Sequence, residues 1–286
     1  MKIISAITGV FLTSVVFASA GPYSPAADLP GSDAIPASDP RIVAWANAVG
    51  ELMRGPVEIS DPESPLASFG SESSSLGRAD AFDSATGLPS TEPGSVVSLG
   101  DGGMITLRFP QPITDGLGFD FVVFENGFSD TFLELAFVEV TSDGRNWARF
   151  PSQSLTQNGV QIDQANPQFS AIDPTDIDGL AGKYRAGWGT PFDLSALSDA
   201  TMLDLNRITE VRIVDVVGSI DPSFGHRDSA NRLINDAYPT PFASGGFDLD
   251  AVGVLHQIPE PSISLMFLAA LITFGLSRRR EDLRWR

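Results

Sequence analysis

The sequence predicts an all-β protein, an antiparallel β-sandwich preceded by a short N-terminal helix. Six or more apolar stretches have the length and composition of strands, and glycine-rich turns separate several of them. The sequence lacks the regular alternation of strands and helices that accompanies a parallel sheet. These observations favour two antiparallel sheets that enclose a single core.

The strand predictions follow from local patterns. The predicted strands cover residues 95–99, 104–109, 119–124, 133–141, 145–150, 208–217 and 247–255. The first two flank a glycine-rich turn, and the fourth and fifth flank Asp143-Gly144, so each pair predicts a hairpin. The stretch 119–124 is apolar on both faces, which predicts a central strand.

A short helix is predicted where the body begins. Polar residues precede Pro40, which suits a first helical position, and Gly55-Pro56 would end the helix. Apolar residues follow helical spacing between these limits: Ile42, Trp45, Ala46, Val49 and Met53.

Three further segments are predicted to lack regular structure. Residues 21–38 are rich in Pro, Ala, Ser and Gly and predict a flexible lead-in to a sandwich domain at 39–257. Residues 61–93 predict a surface excursion, and residues 151–190 predict a long loop.

Residues 1–20 have the pattern of a secretory signal peptide. Lys2 precedes an apolar run over 3–17, and Ala18-Ser19-Ala20 has the small residues of a cleavage site. We expect signal peptidase to cleave between Ala20 and Gly21. An N-terminal membrane anchor is the alternative, and the short apolar run disfavours it.

The C-terminal segment 258–286 has three parts in a fixed order. Pro259-Glu260-Pro261 precedes an uncharged stretch at 262–277, and Arg278, Arg279 and Arg280 follow. The stretch predicts a hydrophobic helix about 24 Å long, marginal for a hydrocarbon core of about 30 Å. The arginines place its C-terminal end in the cytoplasm and the body outside. A transient stop in the inner membrane and a permanent tail anchor both fit this pattern.

These three parts together resemble the PEP-CTERM sorting signal. The matching residues are Pro259, Glu260, Pro261, Arg278, Arg279 and Arg280. The resemblance implies that an exosortase, a membrane-embedded processing enzyme, acts on the tail during export. It also implies a final location at the cell surface or in the extracellular matrix of a biofilm.

Parts of the body resemble a bacterial surface domain of the galactose-binding-like, discoidin-like type. The stretches are VEVTSDGRNWARFP (138–151), VVFENGF (122–128) and GGFDLDAVGVL (245–255). The resemblance covers about 160 residues and implies a jelly-roll fold. It does not imply a ligand.

Composition narrows the classes of partner. Residues 21–258 hold 12 basic and 33 acidic residues, a net charge of −21. Such a surface repels nucleic acid and anionic lipid and attracts cations, so no nucleic-acid partner is expected. The chain has no cysteine, which excludes disulfides and thiolate metal sites.

Four acids lie at otherwise apolar strand positions: Glu125, Asp215, Asp248 and Asp250. Asp248 and Asp250 are two apart and would share one strand face. Calcium, which takes carboxylate and carbonyl oxygens, would stabilise such a group, so we predict a calcium site here. The alternative is that each acid caps loop backbone or pairs with an arginine such as Arg212.

Other groups of acidic and histidine residues do not match a known catalytic or metal-binding motif. The acidic run 173–179 fails as an EF-hand, because Pro174 and Arg185 would occupy its first and twelfth ligand positions. His226 and His256 stand in no recognisable catalytic motif, and Glu134 and Glu139 are five residues apart, so they would face opposite sides of a strand. We predict no catalytic residues.

Three aromatic residues in or beside loops are candidates for binding sugars: Trp147, Tyr184 and Trp188. Packing of these rings beneath the long loop is the alternative. The sequence thus predicts an exported, non-enzymatic module that binds calcium, extracellular polysaccharide or both. A secreted hydrolase acting on such polysaccharide is the alternative function.

Overall fold

In a computed structural model, residues 20–83, 88–89, 95–156, 159–163 and 172–259 are described. Most of the predicted signal peptide and the tail from Glu260, with its predicted helix, lie outside these ranges. Within them the chain is mostly β, with two antiparallel sheets and no helix of seven or more residues. No helix in these ranges has the length and apolar character needed to cross a membrane.

The strands of the described ranges are mostly short. They are β1 (Ile35–Pro36), β2 (Ala44–Trp45), β3 (Ala48–Met53), β4 (Phe82–Asp83), β5 (Leu88–Pro89), β6 (Val97–Ser98), β7 (Met104–Ile113), β8 (Phe121–Glu125), β9 (Ala136–Thr141), β10 (Trp147–Arg149), β11 (Gln153–Ser154), β12 (Ile177–Asp178), β13 (Trp188–Phe192), β14 (Ile208–Asp215) and β15 (Asp248–Val254). Three 3-10 helices accompany them, at Glu72–Ser75, Pro174–Asp176 and Leu194–Leu197.

The long strands build two facing sheets. One has the order β1-β13-β8-β15-β2, with β6 also paired to β15, and the other has the order β10-β9-β14-β7-β3. Two-stranded ribbons join β11 to β12 and β4 to β5. The predicted central position of β8 is confirmed, because it pairs with β13 on one side and β15 on the other.

The main core lies between the sheets. Leu107 and Ile213 of the five-stranded sheet and Phe121, Val123 and Val252 of the six-stranded sheet are all nearly inaccessible to solvent. This arrangement gives the molecule the sandwich-like, all-β character that the sequence predicts.

A second apolar cluster covers the opposite face of the six-stranded sheet. Val122 and Phe124 alternate along β8 with the core-facing residues, and they pack with Ile35 and Ala79. Burial of both faces is the physical reason that this strand is a continuous apolar run.

The segment 21–38, predicted to be a flexible lead-in, lies against the sandwich. Its strand β1 pairs with β13, so that Ile35 lies opposite Gly189. Farther along, the Ala37 N–H donates to the carbonyl of Gly187 at 2.9 Å. Ile35, together with Ala27 and Ala37, provides the burial that orders it.

The predicted N-terminal helix is wrong, because the structure has strands β2 and β3 over this segment. Asp39 accepts from the Arg41 N–H at 2.8 Å and forms a local turn where the sequence predicts the start of the helix. The pairing of β3 with β7 is irregular between Val49 and Glu51. Because of this bulge, Val49 and Leu52 both pack against the main core although they are three residues apart. Their i, i+3 spacing is that of a helix, so the sequence of this strand resembles a helical one.

One predicted hairpin is wrong and the other is confirmed. Strand β6 pairs with β15, whereas β7 pairs with β3 and β14, so the glycine-rich turn between β6 and β7 connects the two sheets. A glycine-rich turn permits sharp reversal but does not select the partner of the strand that follows. Strands β9 and β10 pair around Asp143-Gly144 as predicted.

The predicted long loop at 151–190 contains regular structure. It includes β11, β12 and the start of β13, and Ile172, Ile177 and Leu180 are buried within it. These residues pack with Leu135 in an apolar cluster of their own. The isolated apolar residues of this segment are too sparse to show a strand period in the sequence.

Candidate metal centre

The four acids predicted as calcium ligands are all buried, but they have different surroundings. Glu125 ends β8, and Asp248 begins the neighbouring β15. Asp215 ends β14, and Asp250 lies where the pairing of β15 with β8 is shifted by a bulge. The structure therefore brings Glu125 and Asp248 together. Asp215 and Asp250 differ from them in their hydrogen-bond partners.

Asp215 and Asp250 hold loop backbone. Asp215 accepts from the Gly102 N–H at 2.8 Å and from the Phe247 N–H at 2.7 Å. Asp250 accepts from the N–H groups of Asp80 and Ala81, at 3.1 and 3.2 Å. Burial raises the pKa of Asp250 to about 7 and that of Asp215 well above its ordinary value. These contacts match the capping alternative considered from the sequence.

Glu125 lacks such donors. It is only 1% exposed, and neither carboxylate oxygen has a hydrogen-bond partner. The nearby N–H groups of Asn126 and Gly127 favour its charged form, but they do not reach hydrogen-bond geometry. Burial, followed by repulsion from Asp248, raises the pKa of Glu125 well above its ordinary value. A buried carboxylate in this state is costly unless a proton or a cation accompanies it.

Three further side chains complete what we call the acidic centre: Asn126, Glu134 and Asp248. The Oδ1 atom of buried Asn126 has no partner, and its Nδ2 donates weakly to Asp248 at 3.4 Å. Asp248 also accepts a short hydrogen bond from the Ser98 hydroxyl, and burial raises its pKa to about 7. Burial, then repulsion from Asp248 and Glu125, raises the pKa of Glu134 well above its ordinary value.

The negative charge of the acidic centre has little compensation. Among the described residues, no Lys, Arg or His forms an ion pair with Glu125, Glu134 or Asp248. Arg54 is close enough to lower the pKa of Asp248, but its guanidinium donates to three carbonyl oxygens. Three carboxyl groups thus share a low-dielectric region with one cation, and that cation forms no ion pair with them.

A glycine leaves space beside the Glu125 carboxylate. A Cβ atom at Gly127 would lie 2.9 Å from Glu125 Oε2 and 3.4 Å from the carbonyl oxygen of Tyr184. A carboxylate oxygen and a carbonyl oxygen therefore border the same space. These are the ligand types that Ca²⁺ takes in its flexible shell of six to eight oxygens.

Sequence reasoning missed two members of the acidic centre. Asn126 directly follows Glu125, and its polar side chain after an apolar strand was the available signal. Glu134 interrupts the apolar stretch TFLELAF in the same way that Glu125 ends its own strand. In the sequence Glu134 stands out only as half of a possible glycosidase pair. The other half, Glu139, forms ion pairs with Arg149 and Arg212.

A tighter acidic trio lies elsewhere. In the described ranges, the acids and histidines that place three ligand atoms within 4.8 Å of one another are Asp115, Asp120 and Asp193. Asp120 already accepts from the N–H groups of Gly116 and Leu194, at 2.7 Å each. It also pairs with His256 Nδ1 at 2.9 Å. This carboxylate is satisfied by the protein, unlike that of Glu125.

The two histidines have structural contacts. His256 pairs with Asp120, as described above, and His226 Nδ1 accepts from the Val217 N–H at 3.1 Å. Burial is the main cause that lowers the pKa of His226.

The three candidate aromatic residues do not form one site. Tyr184 is 2% exposed, and its hydroxyl lies 2.9 Å from that of Ser24. Trp188 is half-buried in β13, with the Arg185 guanidinium 5.8 Å from its ring centroid. Trp147 lines a groove on the outer face of the five-stranded sheet.

Comparisons with known proteins give no match: no family model, no curated protein and no solved structure is similar to this chain at a significant level.

Proposed function

We propose that this chain is an exported, non-catalytic surface or matrix module that binds calcium in the acidic centre. The single observation that carries the calcium proposal is the buried carboxylate of Glu125, whose two oxygens lack donors beside Asp248 and the unpaired Oδ1 of Asn126. A divalent cation would neutralise this charge and take these oxygens as ligands.

Export and sorting by an exosortase form the second part of the proposal. It is supported by the signal-peptide pattern that ends at Ala20 and by Pro259, Glu260, Pro261 and the arginines at 278–280. A jelly-roll topology of the two sheets belongs to the same proposal and is supported by the resemblance of residues 138–151. Signal peptidase, exosortase and, transiently, the inner membrane are the implied partners.

Thermal unfolding with and without calcium tests the metal site. A ligand at 100 times its dissociation constant adds about 2.7 kcal/mol to the free energy of unfolding when it binds only the folded state. For a domain of this size we expect calcium to raise the melting temperature by about 5–10 °C. A calorimetric titration with CaCl₂ should show a matching heat of binding.

Substitutions locate the site. Gly127→Ala places a methyl group against Glu125 Oε2, and Glu125→Gln removes the charge, so both variants should lose the calcium response. Gly159→Ala is the matched control, because a Cβ there meets nothing within 4 Å. Asp250→Asn should keep the response, since Asp250 holds the backbone of residues 80 and 81. Identical melting curves in millimolar calcium and in chelator would show that protons alone neutralise these acids.

A further inference from the structure

The outer face of the five-stranded sheet carries an open groove of about 250 Å³. Along β14, Val211 and Ile213 point into the core, so the alternating Glu210 and Arg212 project outward. The residues that line this outer groove include Gly50, Glu51, Arg108, Trp147, Glu210 and Arg212. They come from four elements that are distant in sequence, and the sheet brings them together.

Four charged side chains line the outer groove, and three of them, Arg108, Glu210 and Arg212, are in ion pairs; Glu51 on β3 is the fourth. Arg108 Nε donates to Glu210 Oε1 at 2.5 Å, and Arg212 Nη1 donates to Glu139 at 3.3 Å. Each guanidinium has five N–H donors, so both arginines keep donors for a ligand, and Glu210 keeps acceptor lone pairs. A ligand here meets donors and acceptors side by side without an excess of either charge.

An aromatic ring borders these polar groups. The Arg212 guanidinium carbon lies 3.7 Å from the centroid of the Trp147 ring, and this cation–π contact fixes the ring on the short edge strand β10. Trp147 is only half-buried, and its remaining surface lines the groove. The groove therefore joins a flat apolar surface to a row of alternating donors and acceptors.

This combination suits a neutral sugar chain. A hydroxyl group both donates and accepts, so it can bond Arg108 and Glu210 together without bringing charge into the groove. The C–H face of a sugar ring is apolar enough to cover an aromatic surface. The net charge of −21 over residues 21–258 disfavours polyanions such as nucleic acid or an acidic polysaccharide.

The size and the glycines of the groove also fit a polymer. Its volume is below the roughly 300–1,000 Å³ of pockets that enclose drug-sized ligands, so it would hold a short part of a longer chain. A Cβ on Gly50 would lie 3.3 Å from Thr106 Cγ2 and 3.5 Å from Arg108 Cζ. Larger side chains at residue 50 would fill the groove, so its depth depends on this glycine.

We infer that the outer groove binds a neutral polysaccharide, with Trp147 covering a sugar ring and Arg108, Glu210 and Arg212 bonding its hydroxyls. The site is separate from the acidic centre, and the inference holds whether or not that centre binds calcium.

Affinity electrophoresis and calorimetry of the purified exported protein test this inference. The probes are hydroxyethyl cellulose, dextran and galactomannan as neutral polymers, and alginate as an acidic one. We expect binding of at least one neutral polymer, in calcium and in chelator alike. Trp147→Ala and Gly50→Leu should each weaken that binding about tenfold or more, the cost typical of a central contact residue.

Trp188→Ala is the matched control, because Trp188 is also half-buried but lies in the other sheet. It should bind as the wild type does, and circular dichroism should show that all three variants fold. Failure of every neutral polymer to bind would overturn the inference. Unchanged binding in both groove variants, or an equal loss in Trp188→Ala, would overturn it as well.

Discussion

At the scale of single residues, a buried carboxylate is stabilised by the donors that reach its oxygens, and the buried acids of this protein differ in those donors. Asp236 accepts from the N–H groups of Leu135 and Ala237, at 2.7 and 2.6 Å, and Asp215 has two backbone donors of its own. Glu125 has none that meets hydrogen-bond geometry. All three acids are buried, so the number of hydrogen-bond donors, and not burial, distinguishes Asp215 and Asp236 from the candidate metal ligand Glu125.

Asp101 allows a pH-dependent prediction away from the acidic centre. It is 5% exposed, accepts from the Ile59 N–H at 2.8 Å, and has its pKa raised to about 6 by burial. The folded protein thus binds this proton more tightly than the unfolded chain, whose value is 3.8. The stabilising contribution is fully present below pH 4 and is lost as pH rises through about 6.

The Asp101→Asn variant should lack this contribution at every pH. As pH rises from 4 to 8, the wild type loses this contribution and the variant does not. The free energy of unfolding of the variant should therefore rise by up to about 3 kcal/mol relative to that of the wild type. Urea unfolding at several pH values, in chelator, measures the difference. A difference that stays constant over this range would contradict the raised pKa of Asp101.

At the scale of elements, β8 contributes to two apolar clusters because it lies between β13 and β15 and buries both faces. Phe121 begins this strand with no exposure, and its ring lies 5.4 Å from that of Phe192 and 5.8 Å from that of Phe150. We expect Phe121→Ala to lower the free energy of unfolding by about 3–5 kcal/mol. Urea unfolding measures it, with Leu117→Ala as control.

Leu117 is 97% exposed, so its replacement should change stability by no more than about 0.5 kcal/mol. A loss below 1 kcal/mol for Phe121→Ala would show that the aromatic cluster relaxes around the cavity.

The elements that the sequence predicted well are those whose burial shows in a simple pattern. Strands β8, β14 and β15 are apolar runs or alternations, and the structure has them close to the predicted residues. The N-terminal helix failed because a bulge near Gly50 gave a strand a helical spacing. The first hairpin failed because turn residues do not determine which sheet the next strand joins.

The acidic centre was predictable in part for the same reason. Glu125 and Asp248 stand out as acids within apolar strands, and the structure places them on neighbouring strands. Asp250 has the same sequence signal, but the bulge beside it changes its partners. Glu134 enters from the loop before β9, and no local pattern relates that loop to β15.

At the scale of the whole molecule, the folded body extends almost to the predicted sorting signal. The Thr114 N–H donates to the carbonyl of His256 at 3.1 Å, and the Ile258 N–H donates to the carbonyl of Pro112 at 3.0 Å. Pro259 follows directly and is the last described residue. The Pro-Glu-Pro tripeptide therefore begins, in the sequence, at the residue that follows the last of these backbone contacts with the sandwich.

The sorting proposal predicts a defined fate for a variant in which Pro259, Glu260 and Pro261 are replaced by alanine. If processing of the tail requires the tripeptide, as the sorting proposal holds, the full-length variant should stay in the inner membrane, held by the apolar stretch 262–277 and the arginines behind it. Cell fractionation and the mass of the recovered protein measure this. Alanine substitution of Glu281 and Asp282, beyond the arginines, is the matched control and should leave sorting unchanged. Release of the tripeptide variant at the size and yield of the wild type would rule out this tail as a sorting signal.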